Sequence, residues 1–231
     1  MTLHVSNLTS DVQANATAAP VTYTEDAPFS LYRNFFKRLL DLTLVIITAP
    51  VVLVLIAVLA VLVVLTTGGN PFYSQLRVGK NGKPFRMWKL RTMIPDADAY
   101  LEQYLLQNPE ARAEWDQTQK LKQDPRITLF GGVLRKTSLD ELPQLFNVFN
   151  GTMALVGPRP MMLEQQAFYH GRAYFNLRPG ITGFWQVCDR NNCRFKDRVS
   201  FDNKYDAALS LKTDVRILCK TVGVVLRATG H

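Results

Sequence analysis

The sequence predicts an α-rich α+β fold built onto a membrane-embedded helix. An uncharged apolar run of 26 residues, 42–67, predicts the helix. Two short alternating segments separated by Asn81-Gly82 predict a β-hairpin. We expect a monotopic membrane protein with three parts: a disordered arm over 1–29, a membrane segment over 30–68 and a small cytosolic domain over 69–231.

The arm over 1–29 has no Lys or Arg and no apolar core, so it does not resemble a secretory signal peptide. Its Ala, Thr and Asn content predicts disorder. The three cysteines, Cys188, Cys193 and Cys219, have no metal-binding spacing. Without a secretory signal we expect reduced thiols and no zinc site.

Positive charge is concentrated beside the apolar run. The chain has a formal net charge of +8, and the stretch 30–95 carries nine basic residues against one acidic residue, Asp41. Basic residues next to an apolar segment are typical of contact with the anionic lipids of an inner membrane. Nucleic-acid binding is disfavoured, since the basic residues form no stripe interleaved with stacking aromatic residues.

The apolar run is too long for an ordinary core helix. As a straight helix it would reach about 39 Å, which exceeds the roughly 30 Å hydrocarbon core of a bilayer. A buried helix of a soluble domain is the disfavoured alternative. Pro50 is expected to break the helix, which fits either a kinked spanning helix or a re-entrant hairpin. Because both flanks are basic, and positive flanks prefer the cytoplasm, we expect the re-entrant form, entered through an interfacial segment at 29–40.

The first half of the cytosolic domain continues from the hairpin into helices. The stretch 96–121 is polar and helix-favouring, with Asp96 or Asp98 as the cap and a break at Pro109. Farther on, Ser138-Leu-Asp-Glu141 fits a capping box that opens another helix.

The C-terminal part is predicted from three segments. A tight loop at 178–183 precedes a strand at 184–187. The stretch 209–226 is amphipathic and forms a helix that either lies on the membrane surface or packs on the core.

The segment 134–160 carries the strongest chemical signal. Two adjacent carboxylates, Asp140 and Glu141, lie between Arg135 and Arg159 in a segment otherwise rich in apolar or small residues. One carboxylate can attack phosphorus or hold a metal ion while arginines bind the phosphate oxygens. The structural alternative is that acidic residues favour the first turn of a helix.

Further basic residues are candidates for phosphate binding. Arg159 lies between Pro158 and Pro160, so its backbone is stiff where a guanidinium must be aimed. Lys89 and Arg91 lie in the sequence Lys-Leu-Arg-Thr-Met, and contact with lipid head groups is the alternative explanation for them.

Short motifs are spread along the chain in a fixed order: Lys37-Arg-x-x-Asp41, Phe72-x-x-Gln-x-Arg-x-Gly79, Lys89-Leu-Arg-Thr-Met93, Leu139-Asp-Glu-Leu142, Gly157-Pro-Arg-Pro160 and Arg178-Pro-Gly-Ile-Thr-Gly183. With these motifs the chain resembles the bacterial sugar transferases, the small monotopic phosphoglycosyl transferases. The resemblance covers roughly Phe35 to Arg227. Several separated motifs in one order make it specific.

The resemblance implies transfer of a sugar 1-phosphate from a UDP-sugar to undecaprenyl phosphate, with release of UMP and dependence on Mg²⁺. It implies a re-entrant helix at Pro50, an aspartyl nucleophile at Asp140, and a metal held by Asp140 and Glu141. The insertion at 96–127 is similar to that of the branch that initiates exopolysaccharide synthesis, which often uses UDP-galactose or UDP-glucose.

One residue departs from the family pattern. The family usually has serine before the helix proline, and this chain has Ala49. The serine hydroxyl bonds back to the backbone, so Thr48 or the bilayer is expected to take over that role.

The resemblance implies two steps: Asp140 attacks the donor, and the lipid phosphate then takes the sugar phosphate, while Glu141 holds the metal or positions the acceptor. The candidate substrate- and phosphate-binding residues are Lys89, Arg91, Arg135, Arg159, Arg178 and Gln186.

We expect the enzyme in the bacterial inner membrane, with its catalytic domain on the cytosolic face. The sequence does not fix the oligomeric state, and a homodimer is compatible with it. A membrane-anchored phosphatase or phosphodiesterase, and a non-catalytic membrane scaffold, are the alternatives.

Overall fold

The computed structural model describes residues 30–118, 121–187 and 195–226. The predicted disordered arm over 1–29 lies outside the described residues, as do Cys188 and Cys193.

One long helix carries the apolar run. A π-helical turn, Tyr32–Phe36, leads into α1, Lys37–Thr67, and the helix ends at Gly68 with a φ of +67° that favours glycine. Within the described part of the chain, this is the one helix long and apolar enough to cross a membrane, and only 17% of its apolar window is buried. A helix so apolar and so exposed associates with a membrane, as the sequence predicts.

Pro50 does not interrupt α1, which corrects the predicted break. The chain stays helical on both sides of the proline, because the loss of one amide donor can bend a helix without ending it. The Thr48 hydroxyl donates to the carbonyl oxygens of Leu44 at 2.8 Å and Val45 at 3.3 Å. Thr48 therefore makes the backbone contact expected of it in the absence of serine at Ala49. The re-entrant path stays a prediction.

The predicted hairpin is confirmed. β1, Phe72–Val78, and β2, Pro84–Leu90, pair antiparallel. The turn between them holds Asn81 at φ +58°, a left-handed conformation that asparagine tolerates. The register places Lys89 opposite Tyr73, which fixes where this candidate site residue leaves the sheet.

Two polar helices follow the hairpin, as predicted. α2 covers Ala97–Gln107 and α3 covers Pro109–Thr118, so the chain breaks just before the predicted proline. The predicted cap at Asp96 is wrong, because its backbone is left-handed (φ +52°) and its side chain makes no capping hydrogen bond.

The predicted capping box at Ser138 is also wrong. α4, Leu129–Thr137, ends at Ser138, whose φ is +57° and whose side chain caps nothing. An N-cap residue needs an extended backbone, which Ser138 does not have. Leu139–Glu141 forms a single 3₁₀ turn, and α5, Gln144–Phe149, begins after it. The motif therefore closes one helix instead of opening the next.

A second, two-stranded sheet lies farther along the chain. β3, Ala154–Val156, pairs parallel with β4, Gly180–Thr182, and the short helix α6, Ala173–Asn176, lies between them in sequence. The strand predicted at Phe184–Val187 is instead a helical turn, α7. Its last two backbone amides donate to the carbonyl oxygen of Gly183, which bends the chain away from an extended path.

Two helices end the described chain: α8, Arg198–Ala207, and α9, Leu211–Leu226. Ile217 on α9 is fully buried in a cluster with Val156, whereas Val222 is exposed. One face of α9 therefore packs on the core, as one of the two predicted alternatives requires. Contact of its exposed apolar face with a membrane stays a prediction.

Both halves of α1 pack against the domain that follows it in the sequence. Val45 lies in a core cluster with Met87, and Leu59 and Val63 lie in another with Leu90. For side chains of a helix in a membrane, such contacts stabilise the fold through close packing, since lipid tails are as apolar as the side chains themselves. The membrane helix is thus fixed against β2, the strand that carries Lys89.

Candidate active site

Asp140 lies on the 3₁₀ turn between α4 and α5. The left-handed Ser138 ends α4 and turns the chain, so that Asp140 is buried, with 7% of its surface exposed, while Glu141 beside it stays half-buried. A buried carboxylate next to a partly exposed one gives the two groups different environments, which suits different roles.

Lys89 connects the hairpin to this turn. Its ammonium lies 2.8 Å from Oε1 of Glu141 and 3.6 Å from Oδ2 of Asp140. The structure therefore brings together Lys89, Asp140 and Glu141, three of the candidate site residues. The two carboxylates therefore share the single positive charge of Lys89.

Arg135 is the second cation near Asp140. Its Nε donates to Oγ1 of Thr92 at 2.8 Å, which holds the guanidinium beside the carboxylate. Burial lowers the pKa of Arg135, and the charge of Asp140 opposes that effect. The last turn of α4 thus supplies the arginine predicted to act with Asp140.

Burial is the largest influence on the pKa of Asp140. It raises the pKa of this carboxyl group above its ordinary value. The charge of Lys89 lowers the pKa, Glu141 raises it, and Arg135 lowers it. A carboxylate that is poorly hydrated but faces two cations is a good nucleophile, because its charge is held by the protein and not by water.

Arg91 contacts the end of the membrane helix and not Asp140. Its guanidinium donates to Oγ1 of Thr67 at 3.0 Å and to the carbonyl oxygen of Gly68. These bonds join the end of the hairpin to the exit of α1, while the buried Nε of Arg91 has no hydrogen-bond partner among the described residues.

Arg159 is exposed and belongs to a cluster of three arginines. Burial lowers the pKa of Arg77, and the charge of Arg159 lowers it further. The side chain of Arg198 donates to the carbonyl oxygen of Arg159. The Nε atoms of Arg77 and Arg198 are buried without a hydrogen-bond partner in the residues the structure describes. Buried guanidinium donors of this kind are typical of a site that receives an oxyanion.

Sequence reasoning missed Arg198 altogether. It lies at the start of α8, outside the motifs found in the sequence, and only tertiary packing brings it to Arg159. Arg77 lies in a recognised motif, but the sequence suggested a membrane flank for it. Its spacing from Arg159 gave no signal that the two are neighbours.

Arg178 and Gln186 lie apart from the carboxylates. Nε of Arg178 donates to the carbonyl oxygen of Gly151 at 2.9 Å, and this arginine is not among the charges that act on Asp140. Gln186 is buried on α7, and a Cβ added at Gly183 would lie 3.1 Å from its Oε1.

The carboxylate pair fits a magnesium ion that is shared with a substrate. No group of three or more His, Cys, Asp or Glu side chains that could hold a metal occurs in the described residues. Mg²⁺ is commonly held by one or two carboxylates plus substrate phosphates, so Asp140 and Glu141 offer suitable ligands. No dedicated protein cage is needed for that arrangement.

The family follows from a comparison of the whole chain. The sequence model described as bacterial sugar transferase matches residues 32–228. The chain belongs to the bacterial sugar transferase family. The match includes the membrane helix, the hairpin and the Asp140-Glu141 turn, so the elements that build the site are those the family shares.

Several curated relatives of this sugar transferase are known. It is 47% identical over 201 residues to the UDP-galactose-lipid carrier transferase of Erwinia amylovora, covering 85% of this chain but 42% of that protein. It is 46% identical over 206 residues to an uncharacterized sugar transferase of Haemophilus influenzae, covering 87% of this chain and 43% of that protein. It thus spans less than half the length of these two proteins.

A relative of similar length also matches. The exopolysaccharide production protein ExoY of Sinorhizobium fredii is 41% identical over 196 residues, which covers 84% of this chain and 87% of that protein. The family therefore includes proteins of about this size.

Proposed function

We propose that this protein transfers a sugar 1-phosphate from a UDP-sugar to undecaprenyl phosphate and releases UMP. The observation that carries the proposal is the buried Asp140 carboxylate beside Lys89, on a domain packed against an apolar membrane helix. It is supported by the family match and by a relative named undecaprenyl-phosphate galactose phosphotransferase in Salmonella typhimurium, 43% identical over 202 residues.

In the first step, a carboxylate oxygen of Asp140 attacks the β-phosphorus of the UDP-sugar. The bond from that phosphorus to the bridging oxygen breaks, and its electron pair leaves on UMP. An acyl phosphate that carries the sugar remains on Asp140. Lys89 and Arg135 hold the carboxylate ionised before attack, and they neutralise charge on the phosphoryl oxygens as the bond forms.

In the second step, an oxygen of undecaprenyl phosphate attacks the same phosphorus. The bond to Asp140 breaks and the carboxylate is regenerated, while the lipid carries a sugar diphosphate. Glu141, which is more exposed than Asp140, positions the acceptor or shares a metal with it. Bound Mg²⁺ would supply charge neutralisation for the diphosphate of the donor.

The arginine cluster, Arg77, Arg159 and Arg198, is the proposed binding site for the phosphates of the donor. Arg159 is exposed, while the buried Arg77 and Arg198 Nε atoms offer donors that the described residues do not use. Tyr73 on β1 is the partner of Lys89, the residue that contacts the carboxylates. Arg77 is four residues farther along β1, so the arginine cluster begins about 13 Å along the strand from Tyr73. We leave Arg91 and Arg178 out of this proposed site because of their location: Arg91 contacts the exit of α1, although its Nε is unpaired in the described residues, and Arg178 contacts Gly151.

The donor proposed is UDP-galactose or UDP-glucose, and the pathway proposed is exopolysaccharide synthesis. The relatives named for galactose transfer to a lipid carrier support the first proposal. The relatives named exopolysaccharide production proteins support the second. The basic residues on both flanks of α1 support a location in the inner membrane with the domain in the cytosol.

A product assay tests the function. Purified protein is incubated with undecaprenyl phosphate, Mg²⁺ and each of several UDP-sugars, and UMP, inorganic phosphate and lipid-linked sugar are measured. We expect equal amounts of UMP and lipid product with one preferred sugar. Asp140→Asn should form neither, whereas Asp116→Asn, a change at an exposed carboxylate paired with Arg112, should match wild type. Inorganic phosphate without lipid product would instead indicate a phosphatase, and no product at all a scaffold.

A further inference from the structure

A basic cavity lies at the N-terminal end of the membrane helix, apart from the turn that carries Asp140 and Glu141. Its volume is about 150 Å³, and five basic side chains but only one acidic side chain line it. These charged residues are Arg33, Lys37, Arg38, Asp41, Lys80 and Arg178. The proposed catalytic steps use none of them.

Two of the basic residues are neutralised by acids behind the cavity. Arg33 forms an ion pair with Asp206 at 2.6 Å, and Lys37 forms one with Asp214 at 2.8 Å. These pairs join the start of the membrane helix to α8 and α9. Asp206 and Asp214 are therefore not available to balance the charge of the other basic residues that line the cavity.

Arg38 and Arg178 have carbonyl partners that do not cancel their charge. Arg38 donates to the carbonyl oxygens of Val148 and Phe149 at 2.5 Å and 2.9 Å. The structure shows neither arginine in an ion pair with a described residue. The lining carboxylate of Asp41 accepts a hydrogen bond from the Leu155 amide at 3.2 Å. Two guanidiniums thus face one carboxylate, and the cavity keeps excess positive charge.

The two guanidiniums converge on the same glycine. Nε of Arg178 lies 2.9 Å from the carbonyl oxygen of Gly151. A Cβ added at Gly151 would lie 3.5 Å from a terminal nitrogen of Arg38. Like charges held together at a partly enclosed cavity are stabilised by an oxyanion that accepts from both.

The position of the cavity points to lipid as the source of that anion. The residues that line it begin the membrane helix, and exposed Phe35, Phe36 and Leu39 lie on the same segment. This segment also lines an apolar groove of about 490 Å³ with Tyr32, Phe36, Leu39, Leu40, Thr43 and Leu211. The groove lies on the opposite face of α1 from the cavity, and an apolar face behind a basic one is typical of a segment at the membrane surface, where lipid phosphates lie.

We propose that this cavity binds the headgroup phosphate of an anionic phospholipid in the surrounding membrane. Such a lipid would anchor the entry of the membrane helix and the loop at Gly151 to the bilayer surface. The site is separate from the catalytic carboxylates, and the proposal requires membrane association but not a particular reaction.

Native mass spectrometry of the full chain, released from neutral detergent, tests the proposal. The protein is equilibrated with equal amounts of phosphatidylglycerol and phosphatidylcholine, and bound lipid is identified by mass. Wild type should retain phosphatidylglycerol in preference. The double variant Arg38→Gln, Arg178→Gln should lose at least about tenfold in phosphatidylglycerol affinity, because each guanidinium donates charge-assisted hydrogen bonds. Arg112→Gln, which removes an exposed arginine paired with Asp116, is the matched control and should retain the lipid as wild type does.

Three outcomes would overturn the proposal. The first is unchanged phosphatidylglycerol retention by a double variant whose circular dichroism matches wild type. The second is equal retention of the two lipids by wild type, which decides the question even if the double variant fails to fold. The third is displacement of phosphatidylglycerol by millimolar inorganic phosphate, which would identify a site for a soluble phosphate.

Discussion

The ammonium of Lys89 lies 3.6 Å from the carboxylate of Asp140 and 2.8 Å from that of Glu141. The lysine comes from the second strand of the hairpin, and the carboxylates come from the turn between α4 and α5. This contact joins two segments separated by about fifty residues of sequence. It places a fixed positive charge beside the buried carboxylate that we propose as the nucleophile.

Removal of the Lys89 charge should shift the pH dependence of the reaction. Lys89 is the strongest influence that lowers the pKa of Asp140, so Lys89→Gln should raise that pKa further. The reactive form is ionised and is lost as the pH falls through the pKa. The acidic limb of kcat/KM for UMP release should therefore move to higher pH. Lys83→Gln, on the exposed end of the same hairpin, should leave the limb in place. An unshifted limb in Lys89→Gln would show that Lys89 does not control Asp140.

A positive charge at position 159 should not be sufficient for activity without the guanidinium group of arginine. If its guanidinium binds phosphate through two parallel hydrogen bonds, Arg159→Lys should lower kcat/KM by at least about tenfold. The bond from Arg198 reaches the backbone oxygen of Arg159, so the substitution leaves that contact intact. Arg112→Lys is a suitable control. Turnover close to wild type in Arg159→Lys would reduce Arg159 to a structural residue of the Pro-Arg-Pro segment.

The re-entrant path of the membrane helix predicts one-sided labelling. In a variant whose native cysteines are replaced by serine, single cysteines at Ser30 and Lys83 should both react with an impermeant thiol reagent only from the cytoplasmic side. Pro50→Ala restores a helical amide donor and should favour a spanning helix, so that one site becomes periplasmic. Labelling of either position from the periplasm in the protein that retains Pro50 would contradict the re-entrant path.

Asp214 should be essential for the docking of the membrane helix. Its buried carboxylate accepts from the Tyr32 hydroxyl at 2.7 Å, the Lys37 ammonium at 2.8 Å and the Tyr205 hydroxyl at 2.7 Å. Asp214→Asn removes the carboxylate that is paired with the buried Lys37, so unfolding in detergent should be easier by about 3–5 kcal/mol. Asp116→Asn, at an exposed ion pair, should change stability by less than about 1 kcal/mol. Equal stability of the two variants would contradict the role of Asp214.

Local signals in the sequence predicted those elements that local chemistry decides. The long uncharged run identified the membrane helix, Asn81 and Gly82 identified the hairpin turn, and Pro109 marked the division between α2 and α3. In each case a backbone preference or the solvent determines the structure, with little help from distant residues.

Tertiary packing decided the elements that sequence reasoning assigned wrongly. Ser138 fits a helix start by its spacing to Glu141, but Leu134 and Leu139 on either side of it pack in the cluster that holds Val63 of the membrane helix. The chain must turn at Ser138 to bury both. The four residues Phe184–Val187 are too few for their apolar pattern to distinguish a strand from a helical turn.

At the candidate site too, the sequence indicates residues that lie in motifs but not neighbours that depend on tertiary packing. Lys89 and Asp140 could be named because motifs marked them, and Arg135 because it lies five residues before Asp140 and the chemistry of phosphate requires both charges. Long arginine side chains are different, because their neighbours depend on the packing of distant segments. That is why Arg178 lies with Arg38 at the membrane helix, and why Arg198, unmarked by any motif, lies beside Arg159.

The central claim is that Asp140 forms a covalent bond to the sugar phosphate. Intact-mass analysis of the protein incubated with its UDP-sugar and Mg²⁺, without lipid acceptor, tests it most directly. We predict an adduct with the mass of one sugar phosphate, release of about one UMP per chain, and loss of the adduct on addition of undecaprenyl phosphate. Asp140→Asn should show no adduct. An adduct on Asp140→Asn, or wild-type protein that transfers sugar phosphate without ever forming one, would contradict the account.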